Sequence, residues 1–75
     1  MSQHQMILDF VRQNGSITPM DAFYYLGITK LSTRIGEMER RGVHFERKYE
    51  SNVNRVGRPV IYMRYRLVDD GGGQK

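Results

Sequence analysis

The sequence predicts an α+β domain of three helices followed by a C-terminal antiparallel β-hairpin, and three observations carry that expectation. The stretch SITPMDAFYYLGITKLSTRIGEMERRG, Ser16 to Gly42, reads as helix, tight turn, helix. A separate helical pattern precedes it. After Gly42 the hydrophobic period changes from that of a helix to that of a strand, in two runs separated by turn-forming residues.

The first helix is expected from about Gln3 to Gln13, where Met6, Ile7, Phe10 and Val11 form one apolar stripe. Asn14-Gly15 ends it, since both residues tolerate a left-handed backbone, and Ser16-Ile17-Thr18 supplies a very short strand or a connecting bend. His4 is expected to be a surface residue: the only other histidine is His44, and neither has a carboxylate cluster nearby in sequence to make a metal site. The second helix starts at Pro19, whose missing N–H is harmless in a first turn, with Thr18 as its cap and Asp21 adding favourable negative charge. In it Met20, Ala22, Phe23 and Leu26 are expected to face the core. Tyr24 and Tyr25 are expected to complete that core at its edge, the alternative being that one hydroxyl reaches a phosphate oxygen.

Gly27 stops the second helix near Leu26, and Thr29 is placed to cap a third beginning at Lys30. Here Leu31, Ile35 and Met38 recur at spacings of four and three and form a buried stripe, which leaves Thr29, Lys30, Thr33, Glu37 and Arg40 on or near the opposite face with Arg34 at its flank. Beyond Gly42, Val43, Phe45, Arg47 and Tyr49 alternate with His44, Glu46, Lys48 and Glu50 as in a strand. A second run from Val60 to Leu67 puts Ile61, Met63, Tyr65 and Leu67 on one face and Tyr62, Arg64 and Arg66 on the other. The intervening SNVNRVGRP favours a hairpin with a long tip. Together these elements make a winged helix-turn-helix over residues 1–68, with 69–75, which include Asp69-Asp70 and Gly71-Gly72-Gly73, as a disordered tail.

With 75 residues the chain has room for one domain and a core worth about 3–5 kcal/mol of net stability. The lack of cysteine excludes disulfides and thiolate metal sites. No apolar run approaches the ~20 residues that span a bilayer, and the N-terminal MSQHQMILDF is unlike a signal peptide, so a cytoplasmic protein without membrane contact, close to the nucleoid of a bacterial host, is expected. Enzyme chemistry is not expected: Asp9, Asp21, Glu37, Glu39, Glu46 and Glu50 are scattered over several elements, and no Gly-rich phosphate loop follows a strand. No cofactor is implied.

Net charge is +4 and unevenly distributed. Residues 1–29 hold one base and two acids, 30–66 ten bases and four acids, and 67–75 one base and two acids, or −1, +6 and −1. Basic charge over the third helix and hairpin suits an electrostatic footprint on nucleic acid. A helix of this profile, about 30–41, following a Gly turn, has the form that fills a DNA major groove, with Lys30, Thr33, Arg34 and Glu37 toward base edges: Glu37 can accept from a cytosine amine and Arg34 can pair with guanine. Thr29, Arg40 and Arg41 are placed for the phosphate backbone. So is the hairpin tip, about 50–59, where Asn54, Arg55 and Arg58 can reach phosphates or a minor groove and Gly57 allows close backbone approach.

The segment ITPMDAFYYLGITKLSTRIGEMERRGVHFE, followed by a strand ending in YRL, resembles the small winged helix-turn-helix DNA-binding domains of bacteriophages and prophages from about Met6 to Leu67. The similarity lies in the G-S-I-T-P lead-in, the turn Leu26-Gly27-Ile28, the R-I-x-E-M-like segment at Arg34 to Met38 and the final aromatic-arginine-leucine strand. It implies a double-stranded DNA partner, with Lys30, Thr33, Arg34 and Glu37 in a recognition helix and Arg55 to Arg58 in a wing, and a role as transcriptional regulator or DNA-architectural factor. Two other partners fit the same basic surface: an acidic host protein, or RNA stacked on Tyr62 and Tyr65. The expected state is a monomer or a weak, DNA-assisted dimer using Met6, Phe10 or tyrosine surface.

Overall fold

The computed structural model describes residues 2–69. Helix α1 (Gln3–Asn14) leads into strand β1 (Ser16–Ile17), α2 (Pro19–Asp21) continues into a π-helical turn over Ala22–Leu26, α3 spans Leu31–Arg40, and β2 (His44–Val53) and β3 (Pro59–Asp69) form the hairpin. In α1 the Ser2 hydroxyl accepts from the Gln5 N–H at 3.1 Å, and the Gly15 N–H at the far end donates to the Val11 carbonyl at 2.7 Å. Its stripe is as expected, with Ile7 and Val11 buried and Met6 and Phe10 half-buried.

Helix α2 opens with a reciprocal cap. The Asp21 N–H donates to Thr18 Oγ1 and the Thr18 N–H to Asp21 Oδ2, both at 3.1 Å, which satisfies Thr18 although it is buried. The helix then widens to π-type bonding and closes with the Ile28 N–H on the Ala22 carbonyl and the Gly27 N–H on the Phe23 carbonyl, Gly27 taking a φ of 70°. Here the expected core assignment is corrected. Only Ala22 of this segment is buried and Leu26 half-buried, whereas Met20, Phe23, Tyr24 and Tyr25 are 59–74 % exposed. So short a segment turns one line of residues inward, Ala22 and Leu26, and the unbroken apolar run gives no period from which that line can be read. The buried core includes Ile17, Ile28 and Val43 instead. Tyr25 lies edge-on to Tyr24 at 4.9 Å and against Phe10 at 5.7 Å, an aromatic ledge outside the core.

Helix α3 begins at Leu31, one residue later than expected, with Lys30 in the cap position and no side-chain capping bond. Thr29 is therefore too early in the chain to serve as its cap. Leu31, Ile35 and Met38 are buried, and the helix ends where the Val43 N–H bonds the Met38 carbonyl and Gly42 takes a φ of 102°.

The sheet is three-stranded and antiparallel with β3 central, in the order β1-β3-β2. Ile17 faces Tyr65 across one pair of strands and Arg47 faces Tyr65 across the other. Pairing of β2 with β3 runs out to Val53 opposite Pro59, so the tip is only 54–58, shorter than expected. Pro59 sits at the first position of β3, where its lack of a donor is tolerated. At the other end β3 takes in Asp69, the first residue of the expected tail, the rest of which lies outside the described residues. Phe45 and Tyr65 are buried, but further out on the same face Tyr49 and Ile61 are exposed, which corrects the expected apolar role of Ile61. The strands outrun the helical body. A ten-residue strand spans about 33 Å, and the molecule measures 44 × 24 × 21 Å.

Two substitutions test this account in urea unfolding followed by circular dichroism. Thr18→Ala should lower stability by about 1 kcal/mol while Thr18→Ser stays near wild type. Ile35→Ala should remove about 2–5 kcal/mol, which in a core of this size leaves the domain largely unfolded.

Candidate nucleic-acid interface

Burial of Leu31, Ile35 and Met38 sets the rotation of α3 about its axis. At ~100° per residue the line opposite that stripe carries Thr33, Gly36 and Arg40, with Thr29 just before the helix and Lys30 toward one side. Thr29, Lys30, Thr33 and Arg40 are exposed and Gly36 half-buried. Sequence reasoning did not single out Gly36. The signal was present, since an interior helical glycine costs about 1 kcal/mol relative to alanine. Neither of the usual internal causes applies to it: its φ is not positive, and a Cβ built there would meet only Arg40 Nη1, at 3.8 Å, an ordinary contact.

Both flanks of α3 are braced. On the side of α1, Glu37 Oε1 accepts from His4 Nε2 at 2.8 Å and from Arg34 Nη1 at 2.9 Å. His4 is thus half-buried and tied to a carboxylate 33 positions away, which corrects its expected surface role; sequence spacing could not show a pairing made by helix packing. The hydrogen bond from His4, with the Arg34 guanidinium beside it, holds the Glu37 carboxyl below its ordinary range. Arg34 Nε is enclosed without a hydrogen-bond partner, so this pose leaves one guanidinium donor unsatisfied. Arg34 and Glu37 therefore engage each other, Glu37 also engages His4 of α1, and each reaches a base edge only by exchanging those bonds.

On the hairpin side Glu39 receives both Arg47 Nη1 and Nη2 at 2.6 Å, and the Arg47 guanidinium lies over the Tyr65 ring, 5.4 Å from its centre. The hydrogen bonds from Arg47 lower the Glu39 pKa, and those same bonds raise that of Arg47. Further along the sheet Arg64 bonds Glu50 Oε2 at 2.9 Å and Ser16 Oγ at 2.8 Å, and Arg66 pairs with Glu46 at 3.6 Å. All four acids of the basic stretch are consequently neutralised by arginines. The bases left without an ion pair among the described residues are Lys30, Arg40, Arg41, Lys48, Arg55 and Arg58, all exposed.

The hairpin tip is built by Asn54. Its Oδ1 accepts from the Val56 and Arg58 N–H groups at 3.1 and 3.0 Å, its N–H donates to the Arg58 carbonyl at 2.9 Å and its carbonyl accepts from Gly57 at 3.0 Å. Gly57 has a φ of 81°, so the turn itself requires glycine there, a conformational reason in place of the close-approach reason expected from the sequence. Arg55 and Arg58 project from this turn. Of the two tyrosines named for an RNA partner, Tyr65 is buried beneath Arg47 and Tyr62 is half-buried.

The sequence profile of the winged helix-turn-helix domain family matches residues 2–70. The chain belongs to this family. In winged-helix terms, 19–26 and α3 are the helix-turn-helix pair, and β2 with β3 is the wing. No curated protein and no solved structure matches the chain. Among the described residues no cluster of His, Cys, Asp and Glu is placed to hold a metal ion, and no helix is long and apolar enough to cross a membrane.

The Glu37 pairing has a pH signature. Because its pKa is lowered in the folded state, its contribution is present above the unfolded value near 4.5 and is lost as pH falls through the lower folded value. Between neutral pH and pH 3, urea titrations should show wild type losing stability more steeply below about pH 4.5 than Glu37→Gln. Parallel curves would remove the pairing from the account.

Proposed function

We propose that this winged helix-turn-helix domain binds double-stranded DNA, with α3 in the major groove and the wing tip on the flanking phosphates or minor groove. One observation carries the reading. The acids of the basic stretch are each taken up by an arginine, and the cations left over, Lys30, Arg40, Arg41, Lys48, Arg55 and Arg58, sit at the two ends of α3 and along the wing. Unpaired positive charge on those elements attracts a polyanion while the sheet arginines serve the fold.

In this reading Lys30 and Thr33, on the outward side of α3, meet base edges, and Arg34 and Glu37 join them where a base edge replaces their mutual pair. Thr29, Arg40 and Arg41 hold phosphates. At the wing Arg55 and Arg58 make the contacts, while Asn54 and Gly57 shape the turn that presents them. A transcriptional regulator or DNA-architectural factor of phage type is the role that fits so small a domain.

Fluorescence anisotropy of a labelled duplex between about 50 and 200 mM salt tests the reading. Wild type should bind with a steep negative salt slope. Arg55→Ala with Arg58→Ala should weaken binding to unrelated sequences alike and flatten the slope by roughly 2, about 0.9 for each phosphate contact removed. Unchanged affinity and slope in the double variant would take the wing out of the interface.

A further inference from the structure

The geometry points to Gly36 as the residue that sets how closely α3 approaches the base edges, acting through the side chain it lacks; the inference rests on the DNA-binding reading above. Glycine is among the weakest helix formers, and α3 is only ten residues long, so its place near the middle of this helix needs a cause. Within a protein the causes are a left-handed backbone or a crowded neighbour. Gly36 has neither. The nearest atom to an added Cβ is the far end of Arg40, an exposed side chain that can swing aside. Among the described residues, and apart from its chain neighbours and the backbone of its own helix, no other group lies within 4 Å of that position.

What remains is a body from outside. Gly36 lies on the outward line of α3 between Thr33 and Arg40, about one turn from each, and opposite the buried stripe. At that point the depth a helix reaches in a groove is limited by the longest central side chain. With none at Gly36, the backbone can close on base edges or on a thymine methyl, and Thr33 and Arg40 on either side reach further than a central alanine or leucine would permit. Glycine thus gives up helix stability where intimate contact is made.

The test uses duplexes selected from a random pool for tight binding to the wild-type protein, with affinity and thermal stability measured on Gly36→Ala and Gly36→Leu. Alanine adds one methyl in a good helix former, so it should raise Tm by about 4–8 °C and weaken binding about tenfold, with leucine weaker still. The loss should persist in an Arg40→Ala background. If Gly36→Ala is more stable and binds as wild type while the Arg55/Arg58 double variant binds weakly, the inference falls and the DNA reading stands. Disappearance of the loss in the Arg40→Ala background would mean that Gly36 only seats Arg40, and would also overturn it. If no duplex can be selected at all, both fall together.

Discussion

Burial of the Leu31, Ile35 and Met38 stripe is the contact on which the rest of the molecule depends. These side chains join Ile7 and Val11 of α1, Ile17 of β1, Ile28 of the turn and Phe45 and Tyr65 of the hairpin in a single cluster. The chain has no cysteine to staple it, and the buried apolar residues of the described structure form this one cluster. Because the stripe is narrow, seating it leaves α3 one rotational setting, which turns Thr33, Gly36 and Arg40 outward. The braces at its flanks, His4 with Glu37 and Glu39 with Arg47, then hold the helix between α1 and the hairpin. Core packing therefore decides what the outer face presents.

Charge is partitioned by the same packing. Half-buried ion pairs such as Arg64 with Glu50 contribute little stability on average, and a more exposed pair such as Arg66 with Glu46 contributes less. Their larger effect is on the field outside the protein, since each pair cancels one charge of the sheet and leaves the long-range potential to the cations at the two ends of α3 and along the wing. A formally basic stretch is thus sharpened into localised positive regions. The Asn54-centred turn serves the same end: the backbone bonds it gathers hold the tip in one conformation, so Arg55 and Arg58 start from an ordered base.

The surface that is neither charged nor buried has a structural cause as well. In 22–26 a π-helical turn brings two residues, Ala22 and Leu26, toward the core and leaves Phe23, Tyr24 and Tyr25 outside, where Tyr25 packs on its neighbours Tyr24 and Phe10. The hairpin repeats the pattern, its core-facing row passing from Phe45 and Tyr65 to exposed Tyr49 and Ile61 as the strands leave the helical body. In both places apolar residues outnumber the positions a core of this size can enclose.

Local rules alone determined the first helix from Gln3 to about Gln13, the cap at Thr18, the break at Gly27, the buried stripe of α3 and the two alternating strands, because each of those signals is read within a few residues by backbone sterics or side-chain period. They also placed the basic charge, and with it Lys30, Thr33, Arg40, Arg55 and Arg58 on exposed positions. Only the tertiary structure decided the rest. That His4 reaches Glu37, that Arg47, Arg64 and Arg66 are spent on Glu39, Glu50 and Glu46, and that two tyrosines lie outside the core are outcomes of distant elements meeting. The lack of any internal need for Gly36 is likewise visible only when the space around it is known. Period and propensity act along a few residues of chain, whereas pairing and exposure follow from which surfaces share one small core, and no local pattern encodes that division.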